Sequence, residues 1–312
     1  MLVHISTLKL SVASLFAATA LCAAAPTQEN FMKATPIVSY LPRPEGRVAW
    51  SLQGARGPLV IGMPGMGDIG QNWDGFASAL AAKGFRVVVL DLRGHGRSDA
   101  TFQDVSREAI AQDALALADS LSPEAPVILV GHSYTGASAV WASSERPDRV
   151  LAQVLISPFA REVPATFFQT MALKLGLLRP WGPSVWASYY KSLFPVHKPS
   201  DLDQRTESVR ANMKEPGRIE SLRGMGKTTA TDCEARLEKV HRPTLILFGS
   251  RDPDFPDPAA EGKLLADRTG GSTEIIPDAG HYPHEEDPTG LADRVAGFIG
   301  GLPDSNSVRT NR

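Results

Sequence analysis

A stretch in the middle of the chain, Val127-Ile128-Leu129-Val130-Gly131-His132-Ser133-Tyr134-Thr135-Gly136, decides the fold prediction. It opens with branched apolar residues, which indicate a strand buried on both faces. Small residues follow where this run ends, and a helix-like segment begins beyond them. Ser133 therefore stands at a sharp strand-to-helix turn, which would expose its hydroxyl above the sheet. Because a helix N-terminus also favours developing negative charge, we predict that Ser133 is a nucleophile.

The segments on either side of this turn repeat a strand followed by a helix. Apolar runs predict strands at 36–40, 47–52, 59–63, 85–90, 127–130, 150–156, 244–248 and 273–276. Helical patterns lie between them at 72–82, 106–120, 135–144, 258–269 and 289–299. Repeated strand–helix units predict an α/β fold with a mostly parallel central sheet flanked by helices.

The alternation stops after the sixth predicted strand. Residues 159–236 are rich in leucine and aromatic side chains, and prolines divide them into short segments. Strands of the earlier character then resume, so we predict a helical cap inserted after the sixth strand. The predicted organisation is a core in two parts (26–158 and 237–301), the cap (159–236) and a flexible tail (302–312).

The composition excludes several classes of protein. The chain has 312 residues, of which 43% are hydrophobic and 21% charged, and its formal net charge is -2. These values are typical of a soluble globular domain and give no reason to expect a nucleic-acid partner. The sequence has no His-Glu-x-x-His motif and no cysteine pair with metal-ligand spacing, so we predict neither a metal site nor a cofactor.

The N-terminal segment has the pattern of a secretory signal peptide. Lys9 precedes a short apolar run from 10 to 21, and small residues follow up to Pro26. The run is too short for a comfortable permanent span. We expect cleavage of residues 1–25 and a secreted or periplasmic protein with no stable membrane anchor. Cys233 would then be the remaining cysteine; its acidic neighbours oppose thiolate formation, so we expect a structural role.

Several of these segments resemble motifs of the α/β-hydrolase superfamily. The segment from Gly131 to Thr135 resembles its Gly-x-Ser-x-Gly nucleophile elbow, with Thr135 where the last glycine is usual. The segment from Asp91 to Asp99 resembles the loop that follows the fourth strand in many members. The resemblance covers about residues 36–300. It implies the α/β-hydrolase fold and supports Ser133 as the nucleophile.

The resemblance also implies the partners of Ser133. Residues 249–254, after a predicted strand, look like the family's acid loop, and residues 275–283 look like its histidine loop. They give the family's chain order of serine, acid and histidine, which implies a triad of Ser133, Asp252 and His281. In such a triad the histidine takes the serine proton and the carboxylate orients the imidazole.

An oxyanion hole is implied by a third loop. Residues 62–68 look like the family's glycine-rich loop after the third strand, although Pro64 replaces the usual histidine. By position, the backbone N–H groups of Met66 and Tyr134 would face the oxyanion. Losing one such donor typically costs about 3 kcal/mol of transition-state stabilisation.

Neighbouring residues compete with the triad acid and base. Asp254 and Asp257 lie close to Asp252, but Asp252 better fits the family's short spacing from the strand end. His284 follows His281 by three residues, and the Gly-His pair at 280–281 is the better match. We assign packing roles, or none, to His95, His132 and His241.

A serine nucleophile argues against dehalogenase and epoxide-hydrolase chemistry, whose members use aspartate at this position. We predict a serine hydrolase that cleaves carboxylic esters through an acyl-enzyme. The cap supplies many apolar side chains and few fixed charges, which suits an uncharged acyl or aryl group. Alternatives are an aminopeptidase-like amide hydrolase, a lactone or carbon–carbon bond hydrolase and, least favoured, a non-catalytic binding protein. The aminopeptidase reading requires a carboxylate cluster near the cap, with four candidates: Glu162, Asp201, Asp203 and Glu215.

Overall fold

The computed structural model describes residues 36–162, 171 and 174–302. The predicted signal peptide and the predicted tail from 303 onward lie outside these residues. Within them, the strands are β1 (Ile37–Arg43), β2 (Gly46–Gln53), β3 (Leu59–Met63), β4 (Arg86–Leu90), β5 (Val127–His132), β6 (Val150–Ile156), β7 (Thr244–Gly249) and β8 (Ser272–Ile276).

The eight strands form one sheet in the order β1-β2-β4-β3-β5-β6-β7-β8. Only β2 runs antiparallel to its neighbours, and the pairs from β4 to β8 are parallel. The predicted mostly parallel sheet is therefore confirmed. Because parallel strands end at the same edge, the loops after β3, β5, β7 and β8 meet at one edge of the sheet, where the site lies.

Helices cover both faces of the sheet, which explains why the central strands are apolar throughout. Every residue of β3 and β5 is buried. The core helices are α1 (Asp74–Ala82), α2 (Arg107–Leu121), α3 (Tyr134–Glu145), α8 (Pro258–Thr269), α9 (Pro283–Glu286) and α10 (Pro288–Gly300). One face of the sheet packs against α2, α3 and α8, and the other face packs against α1 and α10.

The described residues between β6 and β7 include several helices, which confirms the predicted helical cap. They are α4 (Gly182–Ser192), α5 (Leu202–Lys214), α6 (Arg218–Met225) and α7 (Thr231–Glu234). Trp186 of α4 donates to the Gly67 carbonyl at 3.1 Å, and the Tyr190 hydroxyl donates to Glu285 at 2.7 Å. These bonds attach the cap to the loops at the carboxyl edge of the sheet.

The described helices are all too short or too polar to cross a lipid bilayer. Cys233 is buried in α7 with its Sγ 3.7 Å from Glu108 Oε1. Burial raises the pKa of this thiol to about 12, and the neighbouring carboxylates add to the effect. Its thiolate is therefore scarce at neutral pH, as expected for a structural cysteine.

Candidate active site

Ser133 is the single residue between the end of β5 and the start of α3. Its backbone has φ 53° and ψ -117°, a conformation that residues other than glycine rarely adopt. Such strain costs about 1–3 kcal/mol and persists only where the surroundings enforce it. Here, the Ser133 N–H donates to the Ile156 carbonyl at 2.9 Å, and its carbonyl accepts from Phe159 at 2.9 Å. The turn is thus fixed from the neighbouring strand β6.

Two glycines make the tight turn sterically possible. A Cβ at Gly131 would lie 2.5 Å from the Thr135 carbonyl oxygen, and a Cβ at Gly136 would lie 2.4 Å from the Pro158 Cβ. Both separations are far below van der Waals contact. The glycine that the tight turn requires after the serine is therefore Gly136, one residue later than in the family's motif. This explains how threonine is tolerated at position 135.

Thr135 is buried, and its hydroxyl joins two strand ends. It donates to the Met63 carbonyl at 2.6 Å, lies 3.0 Å from the His132 carbonyl and accepts from the His132 N–H at 3.0 Å. Met63 ends β3 and His132 ends β5. The departure from the family's glycine thus introduces a hydrogen-bonded link beneath the nucleophile.

We expect Thr135→Val to destabilise the protein although valine has the same shape. The substitution leaves the buried His132 N–H and Met63 carbonyl without their partner, which should lower the free energy of unfolding by about 1–3 kcal/mol. Urea unfolding followed by circular dichroism measures this. Thr135→Ser, which keeps the hydroxyl, is the matched control and should lose less; a valine variant as stable as the wild type would show that the link is unimportant.

Asp252 and His281 form a close buried pair at the carboxyl edge. The His281 Nδ1 lies 2.8 Å from Asp252 Oδ2 and 3.0 Å from Oδ1. The loop after β7 carries Asp252, and the loop after β8 carries His281. The backbone N–H of His281 donates to the Leu193 carbonyl of the cap at 3.0 Å. The carboxylate is positioned to hold the imidazole in the tautomer that has its proton on Nδ1.

The two competing acids occupy different places. Asp254 Oδ2 lies 3.7 Å from His281 Nε2, on the opposite side of the ring from Asp252. The Tyr189 hydroxyl lies 2.8 and 2.7 Å from the two Asp254 carboxylate oxygens, to which it donates. Asp257 caps α8 by accepting from the Ala260 N–H at 2.9 Å. Of the three, Asp252 alone is hydrogen-bonded to His281.

Four other histidines of the described residues do not line the cavity that contains Ser133 and His281. His132 and His284 are fully buried beneath the elbow, with ring centroids 4.7 Å apart, and burial lowers the pKa of both. His95 is buried against the Arg93 carbonyl, and burial lowers its pKa to about 4. His241 is exposed just before β7. These positions agree with the packing or absent roles expected from the sequence.

Two groups of the described residues bring potential metal ligands within 4.8 Å of one another. One is Asp252, Asp254 and His281, and the other is Asp68, His132 and His284. Distant segments form the second group, so no local motif revealed it. Desolvation raises the pKa of Asp68 to about 7. The His132 Nε2 lies 2.9 Å from the His281 carbonyl oxygen, which connects this buried polar cluster to the site.

Met66 and Tyr134, the two residues of the predicted oxyanion hole, lie close to the elbow. Tyr134 is the first residue of α3, so its N–H has no acceptor within the helix. The loop of Met66 passes against the elbow, since a Cβ at Gly65 would lie 3.2 Å from the Ser133 Cβ. Both residues line the same cavity as Ser133.

The described residues line an open cavity of about 210 Å³ that includes Ser133 and His281. Trp186, Leu193 and Met225 of the cap contribute apolar wall. The cavity also contains two charged side chains that sequence reasoning did not place there, Arg107 and Asp254. No sequence motif indicates Arg107, and the sequence presents Asp254 only as a competitor of Asp252 for the role of triad acid.

The acidic cap residues required by the aminopeptidase alternative do not line this cavity. Each makes another contact. Glu162 Oε1 accepts from the backbone of Ala230, and the other three pair with basic residues: Asp201 with Arg205, Asp203 with Lys191 and Glu215 with Arg218.

Comparison with known proteins supports the same family. Residues 59–294 match the model of the alpha/beta hydrolase family. The chain is 30% identical to human monoglyceride lipase over 252 residues, covering 77% of this chain and 80% of the lipase. It is 27% identical to the sn-1-specific diacylglycerol lipase ABHD11 of Mus musculus over 267 residues, covering 78% and 81%.

A solved structure gives the same picture at the level of the fold. A hydrolase from Pseudomonas aeruginosa PA01 superposes with a TM-score of 0.70 at 26% identity, covering 85% of this chain and 98% of that one. The matched segment contains the elbow, the acid loop and the histidine loop. This chain is therefore a hydrolase that belongs to the alpha/beta hydrolase family.

Proposed function

We propose that the protein hydrolyses small carboxylic esters through an acyl-enzyme on Ser133. The observation that carries the proposal is the buried contact of 2.8 Å between Asp252 and the His281 Nδ1, in a site whose cavity also includes Ser133. A serine hydroxyl is a weak nucleophile at neutral pH and requires an adjacent base. The lipase names of two relatives agree with ester substrates.

The proposed reaction has two halves. His281 Nε2 accepts the Ser133 proton as the Ser133 Oγ bonds to the acyl carbon, and the resulting oxyanion faces the N–H groups of Met66 and Tyr134. His281 then protonates the departing alkoxide as the bond to the alcohol breaks. In the second half, a water molecule gives a proton to His281 and bonds to the acyl carbon. His281 then returns that proton to the Ser133 Oγ as the bond between this oxygen and the acyl carbon breaks, which releases the acid and restores Ser133.

The matched test is hydrolysis of p-nitrophenyl esters, from acetate to palmitate, beside amino-acid p-nitroanilides. We expect ester turnover that depends on Ser133, with short acyl groups preferred because the cavity is small. The Ser133→Ala variant serves as the control. Turnover of anilides without turnover of esters would replace the ester proposal by the amide alternative. Ring opening of a lactone releases acid, and pH-stat titration of that acid tests the lactonase alternative.

We expect activity to fall at acidic pH, and we expect the pKa of His281 to set the position of this acidic limb of the pH–rate profile. Burial opposes its protonation, but the Asp252 charge, its hydrogen bond and the Asp254 charge together raise the pKa above the ordinary 6.5. The reaction needs neutral imidazole, so activity is lost as the pH decreases through this raised pKa. Asp254→Asn removes one of the stabilising charges and should move the limb to lower pH.

The measurement is kcat/KM against pH for a neutral ester, which reports the free enzyme. Asp257→Asn is the matched control, because Asp257 caps α8 and does not line the cavity. If the acidic limb of Asp254→Asn keeps its wild-type position or moves to higher pH, the assignment of His281 as the base is contradicted.

We also propose export to the periplasm or medium after cleavage of residues 1–25. The support is the Lys9, apolar-run and small-residue pattern of the N-terminus. N-terminal sequencing of protein recovered from outside the cytoplasm tests it. A mature N-terminus near residue 25 is expected, whereas recovery of the uncleaved chain inside the cell would argue against export.

A further inference from the structure

Arg107 differs from the other buried arginines of the described chain. Four arginines are at most 9% exposed, namely Arg93, Arg107, Arg149 and Arg218. Three of them pair with a carboxylate: Arg93 with Asp113 at 2.6 Å, Arg149 with Asp119 at 2.7 Å and Arg218 with Glu215 at 3.1 Å. Arg107, at 8% exposure, has no carboxylate of the described residues within 4.0 Å. It is also the only one of the four that lines the cavity above Ser133.

Neutral groups hold the Arg107 guanidinium in place. It lies over the Tyr134 ring, 3.9 Å from the ring centroid. The Nη1 donates to Thr228 Oγ1 at 2.9 Å and to the Thr229 carbonyl at 3.1 Å. The buried Nε has no hydrogen-bond acceptor among the described residues. The charge is therefore fixed in orientation before any ligand binds.

A buried charge without a counter-ion is costly, and the cost is recovered when an anion binds. Thr228 also lines the cavity, and its hydroxyl lies 2.7 Å from the Tyr134 hydroxyl. The Thr228 hydroxyl donates to the Met225 carbonyl at 2.8 Å and accepts from Arg107, so it holds the guanidinium in place. Because the Arg107 Nη1 donates to Thr228 and Thr229 and the Nε is buried, the Nη2 is the nitrogen left to bind an anion such as a carboxylate. Asp254 would repel a carboxylate placed beside His281, so an anionic group is directed to Arg107 instead.

We propose that Arg107, held in place by Thr228, binds a carboxylate carried by the substrate, so that the enzyme acts on short esters that bear a second, anionic carboxyl group. This inference rests on the proposed ester hydrolysis. The shared cavity of about 210 Å³ places the reacting ester at Ser133 and the carboxylate at Arg107 within a small molecule.

Two substrate pairs test this, each with a neutral member of similar size. The p-nitrophenyl half-ester of glutaric acid and p-nitrophenyl pentanoate place the charge on the acyl side. The esters 4-carboxyphenyl acetate and phenyl acetate place it on the leaving side. We expect the wild type to prefer the anionic member in one pair, and Arg107→Gln to lower that preference, the ratio of the two kcat/KM values, by about 10-fold or more. Arg107→Lys, which keeps the charge, should retain part of it.

Arg149→Gln is the matched control, because Arg149 is equally buried and lies outside the cavity. It should lower the melting temperature and leave the ratio unchanged. If Arg107→Gln does not fold, Thr228→Val should lower the same ratio, because it removes the hydroxyl that accepts from the Arg107 Nη1 and holds the guanidinium in place.

The outcomes separate this inference from the function on which it rests. No turnover of any of the four esters would overturn the ester proposal itself. Turnover of the neutral esters without preference for either anionic partner would overturn only the carboxylate site. Equal losses for both members of a pair in Arg107→Gln would likewise reduce Arg107 to a structural role.

Discussion

Ser133→Ala should reduce kcat for ester hydrolysis by about 10⁶-fold, as removal of the nucleophile does in a well-studied serine protease. Without the hydroxyl, no acyl-enzyme forms, and His281 and Asp252 have no serine to activate. The fold should survive, because alanine fills the same space at the turn and the described residues make no hydrogen bond to the Ser133 side chain. Kinetics with p-nitrophenyl acetate, beside thermal unfolding, measure both quantities.

The strained backbone provides a control for this substitution. Ser133→Gly should also lack activity, yet it should be more stable than Ser133→Ala, because glycine adopts φ 53° without strain. Ester hydrolysis at the wild-type rate in either variant would remove Ser133 from the reaction. If Ser133→Ala loses much of its stability, the activity of Ser133→Gly decides whether Ser133 is required for the reaction.

Asp252→Asn should reduce kcat by about 10⁴-fold, far more than Asp254→Asn. The asparagine amide cannot replace both carboxylate contacts with the His281 Nδ1, and an amide that donates there favours the wrong imidazole tautomer. Asp254 contacts the ring only at 3.7 Å, and Tyr189 holds its carboxylate. Its substitution should mainly shift the pH profile.

Both variants replace a carboxylate by an amide in the same loop, so each controls for the other. The rates should be compared at the pH optimum of each enzyme, which separates a lost catalytic role from a displaced pH limb. A greater loss in Asp254→Asn would transfer the acid role to Asp254. Equal losses of kcat in the two variants would mean that the distances of the two carboxylates from the His281 ring do not indicate which of them is the triad acid.

The sequence predicted the sheet well, because strands buried on both faces leave a simple pattern. The bounds of β3 and β6 match the predictions of 59–63 and 150–156, and α8 matches 258–269. Local chemistry also explains the elbow, where a buried strand, a serine and a helix start are adjacent in the chain. Ends shaped by tertiary contacts shifted by a few residues, as at β1 and at β5, which extends to His132.

The charges of the cavity could not be predicted in the same way. Tyr189 and Asp254 are separated by 65 residues, and Arg107 and Thr228 by 121. The sequence shows Arg107 only as the first charged residue of an amphipathic helix, where exposure is the usual expectation. Its burial depends on Tyr134 and on the end of the cap, which come together only in the folded chain.

The role of Thr135 was hidden for a related reason. The sequence presents it as a departure from the family's glycine. The structure shows that its hydroxyl contacts Met63 as well as His132, although Met63 lies 72 residues away. A residue that breaks a local motif can therefore support the same turn through a long-range hydrogen bond.

Labelling with a fluorophosphonate probe tests the central claim most directly, because the probe bonds covalently to serines activated by a neighbouring base. The site of attachment is found by mass spectrometry of the digested protein. We predict a single adduct on Ser133 in the wild type, slower labelling of Asp252→Asn and no adduct in Ser133→Ala. Absence of labelling in the folded wild type, or an adduct on another residue, would contradict the assignment of Ser133 as the nucleophile.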